Sequence, residues 1–154
     1  MTGAGEGRAA ARVNLRMWSD QTPFHDAGKT IALRPERIDK KGEVVLNPRG
    51  QPLRNLDPRH DVSFEDARLG DGSELAPCVD AILAALRSSA YADGTRSKAI
   101  DATLWIAVFD ETFAYEGAIG EAAIAEARKL GVRLFIEDYP RQAPDGSIWT
   151  HWLT

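Results

Sequence analysis

Cysteine is all but absent from this sequence. Cys78 stands alone, so no disulfide can form within the chain and no cysteine-based zinc site can be built. Its neighbours Leu75, Val79 and Ile82 recur at helical spacing, which reads Cys78 as a small buried hydrophobe rather than a nucleophile. Histidine is scarce as well. His25, His60 and His151 fall in no HExxH or comparable ligand spacing, and no metal or cofactor is expected. Gly117 to Gly120 has neither the GxGxxG pattern nor a following Lys-Ser/Thr, which excludes a phosphate loop there. No run reaches the roughly 20 apolar residues of a membrane span, and MTGAGEGRAAAR lacks the apolar centre of a signal peptide. No membrane association is expected, and a cytoplasmic location follows by default. A large excess of one charge sign is also missing: the net value is −4, which offers nucleic acid no bulk attraction.

What is present fits an ordinary globular domain. The chain has 154 residues, 44% hydrophobic and 27% charged, long enough to bury a core without cross-links. A Gly- and Ala-rich leader over residues 1–11 and a single domain over 12–154 are expected. Three segments alternate at period two: residues 12–18, 99–109 and 132–139, the last stopped by Pro140. Residues 43–47 and 52–56 read as a hairpin around a Pro- and Gly-rich link, and 60–67 as a further strand. Thr22 and Pro23 mark the start of a first helix that carries Phe24, Ala27 and Ile31 and ends near Leu33, before Pro35. A second helix runs from about Ser73 to Ala90 with Leu75, Val79, Ile82, Leu83 and Leu86 in one stripe, and Asp93-Gly94 closes it. A third spans 120–130, with Gly131 suited to the left-handed position after its end. Trp149 and Trp152 in the closing segment imply that it docks back on the domain.

Helices interleaved with alternating strands predict an α+β fold: a mainly antiparallel sheet, helices packed on one face, and ferredoxin-like, split βαβ elements. On each alternating strand one face is plain aliphatic. The other carries Arg16 and Trp18, then Asp101, Thr103 and Trp105, then Arg133, Phe135, Glu137 and Tyr139. Aromatics mixed with charges exceed what solvent exposure requires, and Trp, Tyr and Arg are enriched at binding hot spots. Either this face receives a ligand or partner, or the closing segment covers it as a second small core. A tail exchanged within a homodimer would do both.

Several of these segments resemble a known family. The opening strand VNLRMWSD, the stretch IALRPERIDKKGE, the amphipathic ELAPCVDAILAAL and above all IAEARKLGVRLFIEDY resemble the uncharacterised bacterial family catalogued as domain of unknown function four-two-seven-nine. The resemblance implies a small bacterial α+β domain. It supplies no activity and no catalytic residues.

Two functional readings follow. The first is a non-catalytic binding or protein-interaction module using the mixed face, with an immunity-type role or a homodimer as concrete forms. The second is a small-molecule binder or hydrolytic enzyme with a cleft beside His60, Asp61 and Glu65, where Arg16 and Arg133 would meet an anionic substrate. His25-Asp26 reads as helix-end electrostatics. Asp110-Glu111, with Glu116 and Glu121 beyond, reads as a charged loop leading into a helix.

Overall fold

A computed structural model describes residues 9–56 and 59–154. The strands are β1 (Ala11–Ser19), β2 (Pro35–Asp39), β3 (Val44–Leu46), β4 (Pro52–Leu56), β5 (His60–Phe64), β6 (Ala67–Leu69), β7 (Asp101–Val108), β8 (Val132–Gln142) and β9 (Ile148–Trp152). The helices are α1 (Ala27–Thr30), α2 (Leu75–Arg87), α3 (Ala92–Ser97) and α4 (Glu121–Leu130). The main sheet has the order β2-β5-β1-β7-β8-β9, with β6 also pairing β1, while β3 and β4 form a separate antiparallel hairpin. The fold is thus mixed α/β, with a mostly antiparallel sheet and its helices on one face. β7 and β8 are parallel and joined through α4, so the βαβ element lies at this pair; β1 meets β7 antiparallel.

Alternation decides which side chains go under the helices. Val13, Leu15 and Met17 of β1, Leu104 and Ile106 of β7, and Leu134 and Ile136 of β8 are buried in one core with the α2 stripe Leu75, Val79, Ile82, Leu83 and Leu86. α4 adds Ala127 and Leu130 and ends on Gly131, whose φ of 76° is the left-handed conformation its sequence position foretold.

Several boundaries differ from the sequence reading. Ala11 already lies buried in β1, and the Ala10 amide donates to the Leu69 carbonyl, so the chain joins the sheet before residue 12. The first helix shrinks to four residues. Thr22 does not cap it: the buried Ser19 hydroxyl accepts from the amides of Gln21 and Thr22 and donates to the Ala99 carbonyl. Ile31 is already extended, and Pro35 opens an edge strand that carries no apolar alternation. The strand over 60–67 breaks at Glu65-Asp66 into β5 and β6. Asn14 donates to the Phe64 carbonyl at the break, satisfying a group that the interrupted ladder leaves free. Asp93-Gly94 lies inside α3 rather than closing a helix, and the left-handed stop is Lys98. β8 does not end at Pro140. It continues to Gln142 because the register shifts between Asp138 and Gln142, and a bulge is where a strand tolerates proline. The closing segment docks as expected, in the form of edge strand β9.

Candidate functional site

The side of the sheet away from the helices is built from alternate residues of five strands. Register places Trp18 beside Asp61 and Asp101, Arg16 beside Ser63 and Thr103, and Thr103 beside Arg133. The next row is Asn14, Trp105, Phe135 and Trp152; the one after contains Arg12, Ala107, Glu137 and Thr150. Trp18, Trp105 and Phe135 therefore turn the same way, as period two required. Arg16, Asp101, Arg133, Glu137 and Tyr139 share that side with them.

The rings form one ladder across the strands. Trp18 meets Trp105 edge to face at 5.7 Å, Trp105 meets Phe135 edge to face at 5.9 Å, and Phe135 packs on Trp152 at 4.2 Å. A second pair, Phe109 and Tyr139, stacks at 5.2 Å. These edge-to-face contacts match the ring quadrupole and fix the rings against each other. The outer members stay open: Phe109 is 42% exposed, Tyr139 45% and Trp152 47%.

Guanidinium groups lie on the same rings. Arg16 lies 4.9 Å and Arg59 5.9 Å from the Trp18 centroid, Arg133 5.2 Å from that of Trp152, and Arg12 5.7 Å from that of Phe109. Arg16 grips Asp61 with two bonds, Nε to Oδ1 at 3.2 Å and Nη2 to Oδ2 at 2.7 Å. Arg59 donates to Asp101 at 2.8 Å. Tyr139 donates its hydroxyl to Glu137 at 3.0 Å, and this bond pushes the Tyr139 phenol up, with burial helping. Arg133 is exposed and has no carboxylate partner among the described residues. The face thus holds its arginines in place on aromatic rings with most charges already matched.

Phe109 falls on this face by the parity of residues 99–109, whereas Arg12, Arg59 and Trp152 join it only in the structure. Trp152 was out of reach because the closing segment had no strand assignment, and without one its parity is undefined. It does not fold over the face. It extends the ladder by one strand, while Trp149 and His151 point to the helix side with Ile136 and Asp138.

The alternative cleft does not assemble. His60 and Asp61 are successive strand residues and point to opposite sides. His60 accepts from the Lys41 amide through Nδ1, Asp61 holds Arg16, and Glu65 pairs with Arg34. None of the three lines a cavity described in the structure. Those cavities gather instead around the carboxyl ends of β7 and β8. One of about 420 Å³ is lined by Tyr115, Asp138 and Arg141, among others. There Tyr115 donates to Asp138 at 2.6 Å and the Arg141 amide donates to its other oxygen at 3.2 Å, so each oxygen of the buried carboxylate has a partner and the loop after β7 is tied to the end of β8. Burial and this bond push the Tyr115 phenol up to about 12.

The remaining sequence candidates are ordinary. His25 and Asp26 pair on the surface. Asp110 accepts from Thr112, whose hydrogen bonds hold its carboxyl below the usual range, and Glu116 pairs with Arg141. Burial pushes the Cys78 thiol up, against nucleophilic use. Among the described residues no group of three or more His, Cys, Asp or Glu could hold a metal ion, and no helix is long and apolar enough to cross a membrane.

No family model matches the chain, and neither a curated protein nor a solved structure matches it. The resemblance carried by VNLRMWSD and IAEARKLGVRLFIEDY gains no support from these comparisons, and function is argued from geometry alone.

Proposed function

We propose that the protein is a non-catalytic recognition module that binds another protein through the mixed sheet face. The observation that carries this is the unbroken ring ladder Trp18–Trp105–Phe135–Trp152 on the side opposite the helices. Aromatic side chains dominate binding hot spots because they bury much area at low entropic cost, and arginine is enriched beside them. Here the arginines are already held by Asp61, Asp101 and ring faces, so little ordering remains to be done on binding. The fitting partner presents an apolar centre and a carboxylate opposite Arg133. Neutralising such a partner, in the manner of an immunity protein, is one form of this function.

The test is affinity capture with matched variants. Trp152→Ser and Arg133→Glu change exposed side chains, so the fold is expected to survive. Each is expected to weaken capture of the wild-type partner by roughly tenfold or more, as loss of a hot spot does. Arg128→Glu, exposed on α4, is expected to leave capture unchanged. Equal capture by all four proteins would remove the reading.

A further inference from the structure

We propose that a second copy of this chain adds to the free edge of β9, antiparallel, and joins the two sheets into one. The two ends of the main sheet differ. The β2 end opens on Pro35, which has no amide hydrogen, and carries Glu36, Arg37 and Asp39; proline and charge are what protect an edge from unwanted pairing. The β9 end reads Ile-Trp-Thr-His-Trp, four strong strand formers and a histidine, without an acidic residue, lysine, arginine or proline, and among the described residues no strand lies beyond it.

The edge is also self-complementary. The Leu153 amide donates to the Leu134 carbonyl, so by alternation the amides of Thr150 and Trp152 point away from β8. A two-fold axis through Thr150 pairs it with its own copy, sets Ile148 opposite the second Trp152, and sets Trp149 opposite the second His151. Thr150 pairing with itself is then a hydrogen-bonded pair, using the outward groups the alternation supplies. Ile148 and Trp152 are 44% and 47% exposed, and this register buries them against each other in an apolar cross-strand pair. The ring ladder of one copy then runs on into the next, and the two recognition faces become one surface. A second copy is thus the occupant that the edge chemistry specifies, because the same five residues satisfy both sides.

Charge at the axis tests this. Thr150 is exposed and its side chain is free to change without touching the core. Wild type at roughly 100 µM, a concentration adequate for a modest interface, is expected to sediment as a dimer. Thr150→Lys and Thr150→Glu each place like charges across the axis and are expected to weaken association by roughly tenfold or more. An equimolar mixture of the two is expected to restore the dimer, since Lys then faces Glu. A wild-type monomer, single-charge variants that dimerise as wild type does, or a mixture that stays monomeric would each overturn the proposal. Arg133→Glu separates it from the recognition reading: partner capture is expected to fall while the dimer persists.

Discussion

Individual side chains hold this fold at points where the backbone alone cannot. Tyr115 and Asp138 link the loop after β7 to the end of β8, and the phenol proton is retained because burial and the neighbouring carboxylate both oppose its loss. The Tyr115 value lies above the ordinary 10.0, so its contribution to stability is complete below about pH 10 and disappears as pH rises through about 12. Ultraviolet absorbance titration is expected to show one tyrosine ionising late, and Tyr115→Phe to abolish that step at a cost of about 1–3 kcal/mol in denaturant unfolding. Gly131 is a second such point. Its φ is 76°, and a Cβ there would sit 2.0 Å from the Thr95 carbonyl oxygen, so Gly131→Ala is expected to cost at least roughly 2 kcal/mol. The glycine was legible from its place after Lys-Leu. The Tyr115–Asp138 bond was not, because it joins residues 23 apart across a loop whose path the sequence does not specify.

Elements were legible in proportion to how strongly one period ran through them. β1, β7 and β8 carry buried aliphatics at every second residue, and α2 has its five-membered stripe; these were read directly. Leu83→Ala in that stripe is expected to destabilise the protein by about 2–5 kcal/mol by thermal or denaturant unfolding, as cavity-forming substitutions do. α1 failed because Phe24, Ala27 and Ile31 are all buried, which mimics helical spacing, while only four residues coil. β2 failed because its two exposed polar residues, Glu36 and Arg37, sit beside an equally exposed Ile38, which leaves no apolar alternation to see. The break between β5 and β6 is invisible until Asn14 is known to lie beside it. Asn14→Ala is expected to cost about 1–3 kcal/mol, because the Phe64 carbonyl loses its partner there.

At the scale of the molecule, strand order decides which side chains share a surface. Parity alone sorted Arg16, Trp18, Asp101, Trp105, Arg133, Phe135, Glu137 and Tyr139 onto outward faces. Only the order β5-β1-β7-β8-β9 turns those faces into one surface and adds Asp61 and Trp152 to it. Strand order depends on pairings between distant segments, and no local pattern encodes them. The same order dispersed His60, Asp61 and Glu65. Among the described residues every helix lies on the opposite side, and under the proposed function it is this half-buried face that meets a partner protein. Site-specific photo-cross-linking reads this contact, with a benzophenone side chain at position 133 on the face or at 128 on α4. A cross-linked partner is expected from position 133 and none from 128. A partner cross-linked from 128, with none from 133, would contradict the proposed function.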